Sequence, residues 1–358
     1  MNKAFWKGKK VLITGHTGFK GSWLSLWLQG TEADVVGYAL PPPTQPSFFK
    51  LANVASGMNS ITGDIRDFGY LKAVIREHKP EIIIHMAAQS VVRSSYDDPI
   101  ETYSTNVMGT VNLLEAVRQL RGPCMIVNVT SDKCYENREW VWGYRENEPM
   151  GGHDPYSNSK ACVELVTSAF RNSYFRAEEF DVHRVALASV RAGNVIGGGD
   201  WTKDQLIPDI MRAFMEKRRV LIRSPHAIRP WQFVMDPLSG YLSLAEQCWT
   251  HGAKFAESWN FGPADEDAKP VSWIVEHLSQ LWGDAAHWEV DTAAHPHEAH
   301  YLKLDASKAK RLLAWSPKLP LSRTLEWVVE WYRAYQQQRD VCQVTKAQIS
   351  RYEGIPRA

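Results

Sequence analysis

The chain has 358 residues, 44% hydrophobic and 23% charged, with 41 Lys and Arg against 40 Asp and Glu. That length and composition fit one large domain or two modest ones around a sizeable core. The near-neutral balance leaves no electrostatic footprint for nucleic acid or an anionic membrane surface, and no apolar run approaches the ~20 residues of a membrane helix. The opening "MNKAFWKGKKVLITG" lacks the long apolar core and small-residue cleavage site of a secretory leader, so a cytoplasmic location is expected. Five cysteines (Cys124, Cys134, Cys162, Cys248, Cys342) are widely spaced with no C-x-x-C. They read as reduced thiols, not as a disulfide frame or a zinc site.

In chain order, "KKVLIT" predicts a buried strand, and "GSWLSLWLQG" a helix with Trp23, Leu24, Trp27 and Leu28 on one face. "DVVGYAL" is a second strand. "YLKAVIREHKP" is a helix closed by Pro80, and "EIIIHMAA" is the strand after it. "NVMGTVNLLEAVRQL" predicts a long amphipathic helix, "CMIVNVTS" a strand, "YSNSKACVELVTSAFRNSYF" a helix and "VALASVRAGNVIG" a further strand. Short apolar runs alternating with helical patterns predict an α/β protein with a doubly wound parallel sheet of six or more strands. After about residue 190, glycine and proline interruptions increase. "PLSGYLSLAEQCW" reads as a helix returning to the first domain, and two helices around a proline-bounded turn follow from "DASKAKRLL" to "EWYRAY". The expectation is a domain over residues 1–190 with a returning segment near 234–260. A smaller, interleaved α/β domain covers 191–233 and 261–358.

"VLITGHTGFKGSWL" places Gly15, Gly18 and Gly21 in a G-x-x-G-x-x-G turn between the first strand and its helix. Glycine supplies the positive φ of a tight turn and lets a pyrophosphate approach the backbone, where free N–H groups at the helix start face it. Lys20 and Ser22 do not make a Walker loop, because the lysine precedes the glycine. A dinucleotide-binding domain is therefore expected. An acid for the ribose 2′-hydroxyl is expected after the second strand, yet that strand ends "GYALPPP", which leaves NAD or NADP open there. Asp64 in "TGDIRD" follows a third strand, where it meets adenine or caps a helix, and Asp67 suits the cap better.

"HDPYSNSKACVEL" holds Tyr156 and Lys160 four residues apart at a helix start, hence on one face. A phenol with a pKa of about 10 is a poor base at neutral pH, and a neighbouring ammonium favours the phenolate. Such a pair can take a hydroxyl proton while a nicotinamide takes hydride. Y-x-x-x-K occurs often by chance; the glycine turn and the polar run Ser131–Asp132–Lys133 after a strand make it specific.

With "TGHTGFKG", "HMAAQS", "NVMGTVNLLEA", "TSDKCY", "YSNSK", "VRAGNVIGGGD" and "RPWQFVMD", the chain resembles the extended short-chain dehydrogenase/reductase family over nearly its whole length. The resemblance implies a Rossmann-type domain, NAD as cofactor, and Ser131, Tyr156 and Lys160 as the hydride-transfer site. It also implies cofactor contacts from Gly15, Thr17, Gly18, Phe19, Gly21, Asp64, Ile65, Ala87 and Ala88, with Asn106 in support. Asn194 and Arg229 would hold the diphosphate of a nucleotide sugar, with Gln232 beside them; an arginine suits a phosphate as a bidentate donor. The family further implies a homodimer through two long helices of the first domain.

An epimerase of this kind needs only the Ser–Tyr–Lys set. A 4,6-dehydratase also needs a base for the C5 proton, acidified by C4 oxidation, and an acid for the departing C6 hydroxyl. In the dTDP-glucose and GDP-mannose dehydratases, an acid and a glutamate follow the strand. The S-D-K-x-Y form here is similar to the branch acting on CDP-glucose, as are "AAQSVVRSSYDDP", "GGGDW" and "TKAQISRY". Asp132 is expected as the acid and Lys133 as the C5 base. The alternative is a Lys133 that stabilises the enolate as a cation, with Asp132 neutralising it. Gln89 and Arg93 are expected to line the hexose or diphosphate pocket, with Ser90 as a variable neighbour. His297 and Tyr301 in "HPHEAHYLKLD" are expected to close over the nucleotide. His16 is read as merely tolerated in the turn, and no metal site is expected.

Overall fold

The computed structural model describes residues 1–120, 122–283, 287–291, 293 and 301–356. Its first strands are β1 (Lys10–Thr14), β2 (Asp34–Ala39), β3 (Asn59–Thr62), β4 (Ile82–His85), β5 (Cys124–Val129) and β6 (Val185–Ala192). There follow β7 (Asn194–Ile196), β8 (Val220–Ile222), β9 (Ile228–Phe233), β10 (Ser258–Phe261), β11 (Ala268–Pro270) and β12 (Trp288–Val290). Seven of them form one sheet in the order β10-β6-β5-β4-β1-β2-β3, every pairing parallel. Strand order reverses between β1 and β4, the switch point at which α/β sheets open a ligand crevice.

The central strands carry the apolar runs that burial on both faces demands: β4, β5 and β6 are buried at every position. Their side chains alternate between two cores. Ile13, Ile84 and Val127 pack with Trp23, Trp27, Leu238 and Tyr241 of the helices Phe19–Gln29 and Met235–His251. Leu12, Ile83 and Ile126 pack on the opposite face with Leu71, Ile75, Leu113 and Val117 of the helices Phe68–His78 and Gly109–Arg118. Each large apolar side chain buried this way contributes roughly 1.5–3 kcal/mol.

"VALASVRAGNVIG" divides where one strand was expected. β6 ends at Ala192, and after Gly193 the chain enters β7, which joins β9 and β11 in a second sheet. A side chain at Gly193 would place its Cβ 2.9 Å from Asp132 Oδ2 and 3.0 Å from Pro230 Cγ, so a larger residue at this crossing would displace the Asp132 carboxylate. The pair β8–β12 completes this part of the molecule with the helices Leu206–Met215, Val271–Trp282 and Leu321–Gln336. The helix Met235–His251 and β10 return to the large sheet, on β5 and β6. A helix not anticipated from the sequence, Val341–Gly354, ends the described chain and packs Tyr352 against Trp27. Among the described residues, no helix is long and apolar enough to cross a membrane.

Candidate active site

A cleft of about 1500 Å³ runs from the glycine turn, past the ends of β4 and β5, to β8 and β9. Its walls hold Gly15, Thr17, Gly18, Phe19 and Gly21, then Asp64, Ile65, Ala87 and Ala88, then Ser131, Asp132, Lys133 and Tyr156. Gln89, Ser90, Arg93, Asn194 and Arg229 line it as well.

The turn is built by steric necessity. Gly15 has φ +75°, and a Cβ there would lie 2.7 Å from the backbone N of Ala87; at Gly21 it would lie 2.2 Å from the carbonyl oxygen of Gly15. Gly18 meets nothing closer than 3.5 Å, so it leaves open space where a phosphate can approach. The helix Phe19–Gln29 starts there with no side chain capping its first N–H groups, which leaves them available to an anion. Thr17 donates from Oγ1 to the carbonyl of Leu40, tying the turn to the end of β2. Asp64 forms a forked pair with Arg66, which holds its carboxyl below the usual range, while Asp67 caps the helix Phe68–His78 by accepting from Tyr70 N.

At the end of β5 a single 3₁₀ turn, Asp132–Cys134, displays the polar run. The Ser131 hydroxyl donates to Asp132 Oδ1 at 3.0 Å and accepts from Lys133 N at 3.3 Å. Burial pushes the Asp132 carboxyl up, opposed by the charges of Lys133 and Arg229 and by the Ser131 hydrogen bond. Lys133 Nζ stands 5.9 Å from the centre of the Tyr156 ring.

Tyr156 lies in the first turn of the helix Pro155–Ser173, which opens with Pro155 and is capped by Asp154 accepting from Ser157 N. Lys160, one turn on, donates to the carbonyl of Val129 at 3.4 Å. Burial, reinforced by the charge of Lys20, brings the Lys160 ammonium down to about 7. Burial raises the Tyr156 phenol, and its hydrogen bond with Ser131 works the other way. His85 beneath them is held neutral, its pKa lowered to about 3 by burial and by Lys160.

Some residues singled out from the sequence stand elsewhere. Asn106 lies behind the cleft wall, in a π-helical turn over Ser104–Met108. It accepts from Gln89 N at 2.8 Å and donates to Gln89 O at 3.0 Å and Ser159 Oγ at 2.8 Å. It thereby joins the β4 loop to the Tyr156 helix. The Gln89 side chain folds back on its own loop, donating to Val91 O and Thr102 Oγ1. Arg93 pairs with Asp204 at 3.3 Å across the cleft. Gln232 is 2% exposed on β9, donates to the carbonyl of Phe261 and does not line the cleft. Tyr301 bridges to Ile228 through the backbone, and its neighbour Leu302, not its own ring, forms cleft wall. His297 lies outside the described residues.

Two groups escaped the sequence reading. Lys20, weighed there only as part of a Walker loop, reaches the cleft near Asp132 and Asp200. Its ammonium is lowered to about 8 by burial against the opposing pull of those carboxylates. Glu164, Arg191 and Tyr135 form a buried polar cluster under the Asp132–Cys134 turn. Glu164 continues the Tyr156–Lys160 face by four more residues, a spacing that could have disclosed it. Among the described residues, no group of His, Cys, Asp and Glu is arranged to hold a metal, and all five cysteines are free.

Comparison with known proteins agrees with this geometry. The sequence profile of the family described as GDP-mannose 4,6 dehydratase matches residues 12–327. The chain is 60% identical to the CDP-glucose 4,6-dehydratase of Salmonella typhimurium over 352 residues, 98% of either chain. It is 25% identical over 345 residues to a dTDP-glucose 4,6-dehydratase of Xanthomonas campestris, covering 90% of this chain and 92% of that one. In fold it resembles an epimerase, Mth375, of Methanothermobacter thermautotrophicus, with a TM-score of 0.79 and 22% identity over 94% and 95% of the chains. It also resembles dTDP-glucose 4,6-dehydratase of Bacillus anthracis in complex with NAD, with a TM-score of 0.76 and 24% identity over 93% and 99%.

Proposed function

This chain belongs to the GDP-mannose 4,6-dehydratase family, and from that premise we propose that it removes water from CDP-glucose to give CDP-4-dehydro-6-deoxyglucose. The observation that carries the proposal is the acid–amine pair Asp132–Lys133 in one cleft with Tyr156, the ammonium 5.9 Å from the ring. The relative that shares 60% of its residues over 98% of its length carries the CDP-glucose activity in its name.

The cradle of Gly15, Gly18 and Gly21 fits a dinucleotide, because side chains at the first and third would break the turn against its own backbone, while Gly18 leaves the approach open. NAD held there would supply the hydride acceptor for C4 and the hydride that C6 receives. The turn and Thr17 would hold its diphosphate, and Asp64 and Ile65 would face its adenosine. Tyr156, with Ser131 on its hydroxyl, takes the C4 hydroxyl proton, and Lys160 in its ammonium form supplies the positive charge that favours the phenolate. The ketone acidifies C5, and Lys133 removes that proton and gives one back to C5 when C6 receives hydride. Asp132, whose carboxyl burial favours in the protonated form, gives a proton to the C6 hydroxyl as it leaves as water. Arg229 and Asn194 would hold the diphosphate, and Arg93 on the cleft wall lies toward the hexose, while Gln89, its side chain turned back on Val91 and Thr102, offers only its loop there. Residues 1–190 with the returning segment 234–260 hold the dinucleotide, and 191–233 with 261–358 the nucleotide sugar.

The same reading places the protein in the cytoplasm, in deoxysugar synthesis for surface lipopolysaccharide, as a homodimer. Support for the dimer comes from Ile100, Met108 and Leu165, which are 80%, 52% and 60% exposed on neighbouring helical segments. Incubation with NAD and CDP-glucose tests the activity: mass spectrometry must show loss of one water, and alkali the ultraviolet band of a 4-keto sugar. Turnover of another nucleotide sugar in preference, or a C4 epimer without loss of water, would refute the reading.

A further inference from the structure

We propose that the buried cluster Glu164–Arg191–Tyr135 is a positioning device that fixes the elimination residues Asp132 and Lys133 relative to the hydride-transfer residues Tyr156 and Lys160. The inference rests on the dehydratase reading of this site and concerns an ion pair, Glu164 and Arg191, that stands behind the cleft wall, with Tyr135 linking it to the wall.

Both ends of the Ser131–Asp132–Lys133 run hang from one ion pair. Glu164 and Arg191 are each 3% exposed and meet in a fork, Nε to Oε1 at 2.9 Å and Nη2 to Oε2 at 2.8 Å. On the N-terminal side of the run, Thr130 donates from Oγ1 to Glu164 Oε1 at 2.5 Å. On the C-terminal side, Arg191 Nη1 donates to the Tyr135 hydroxyl at 2.6 Å, and that hydroxyl donates to Asn260 Oδ1 at 2.8 Å. Ser189 Oγ also donates to Glu164 Oε2, at 2.7 Å, beside Arg191 Nη2. Glu164 sits on the Tyr156 helix, one turn beyond Lys160, so the carboxylate that anchors the turn is rigidly part of the redox element.

A buried ion pair is poor evidence for stability, because apolar residues of like volume often serve as well. What apolar packing does not supply is direction. Here each hydrogen bond fixes the strand-end turn against the helix along a defined line, with the Tyr135 ring further gripped by Tyr144 at 5.1 Å and by the Arg191 guanidinium at 4.9 Å. Displacing a catalytic group by ~1 Å costs about a hundredfold in rate. A turn released from this cluster therefore impairs C5 deprotonation and loss of water, whose two groups both ride on it, more than C4 oxidation, which keeps Tyr156 and Lys160 on their helix and has only Ser131 on the turn.

The test is to follow Tyr135→Phe with NAD and CDP-glucose by stopped-flow absorbance of the reduced nicotinamide and by C5 exchange with deuterated solvent. The expected result is that reduced cofactor accumulates in the steady state and C5 exchange slows by about tenfold or more. The rate of C4 oxidation and the affinity for CDP should stay within about threefold of wild type. Thr130→Val must reproduce this partition and Thr130→Ser must restore it, which decides the matter should Tyr135→Phe not fold. Equal slowing of both steps, or wild-type partition in Tyr135→Phe or Thr130→Val, overturns the proposal. Failure of the dehydratase reading would appear in the wild type, and failure of this proposal only in the variants.

Discussion

The hydroxyl of Ser131 donates to Oδ1 of Asp132 at 3.0 Å, so a residue proposed for hydride transfer touches one proposed for elimination. The two sets remain chemically separable. Asp132→Asn keeps an acceptor for Ser131 but has no proton to give the C6 hydroxyl. Loss of a positioned acid costs roughly 10²–10⁴-fold. The variant should still oxidise C4, seen as reduced-nicotinamide absorbance, while forming 4-keto product at least a hundredfold more slowly. Loss of both signals together would place Asp132 in hydride transfer instead.

Burial of the Lys160 ammonium costs the folded chain stability. Its pKa lies at about 7 in the folded chain against 10.5 ordinarily, because burial disfavours its charge. Between those values the unfolded chain binds a proton that the folded chain has released, so from this group stability rises with pH from about 7 to 10.5. Below pH 7 the penalty of a buried ammonium is fully present. Lys160→Met should therefore raise the melting temperature of the cofactor-free protein at pH 7 by a few degrees, flatten its rise toward pH 10 and abolish turnover. Differential scanning fluorimetry across pH reads the outcome. A variant less stable than wild type at pH 7 would contradict it.

The glycine turn predicts a binding defect. Gly15→Ala forces φ +75° on a residue with a Cβ and drives that Cβ to 2.7 Å from Ala87 N. The strand end at Met86–Ala87 must move, and NAD affinity should fall by at least about tenfold, or ~1.4 kcal/mol. Quenching of tryptophan fluorescence on NAD titration measures it.

The dimer reading predicts that Leu165→Arg, at a side chain 60% exposed on the Tyr156 helix, shifts the protein from dimer to monomer in analytical ultracentrifugation. A polar guanidinium in an apolar interface core costs several kcal/mol. An unchanged sedimentation coefficient would remove this face from consideration.

The sheet was legible because strands buried on both faces must be apolar throughout, as in "KVLIT", "IIIH" and "CMIVNV". Three features of the fold and site were not. The break at Gly193 depends on the distant Asp132 and Pro230, which no local pattern contains. The last helix has a polar run, "VCQVTKAQISRYEG", whose buried face rests on single residues such as Val344 and Tyr352. The cluster of Thr130, Tyr135, Glu164 and Arg191 joins residues far apart in sequence. A buried Glu and Arg look like surface residues until their partners are seen. The cleft wall brings together Ser131, Asp132, Lys133 and Tyr156, as spacing suggested. Gln232 shows the limit: its neighbour in "RPWQF" lines the cleft, and strand alternation turns Gln232 inward to Phe261.

The central claim is that Lys133 takes the C5 proton, and one measurement addresses it most directly. Wild type and Lys133→Ala are incubated with NAD and CDP-glucose in deuterated water, and deuterium at C5 is followed by NMR alongside reduced-nicotinamide absorbance. Lys133 as base requires that the variant oxidise C4 and accumulate reduced cofactor while C5 deuterium and 4-keto product both fail to appear. Full C5 exchange in Lys133→Ala would contradict it and leave Lys133 only the part of a cation beside the enolate.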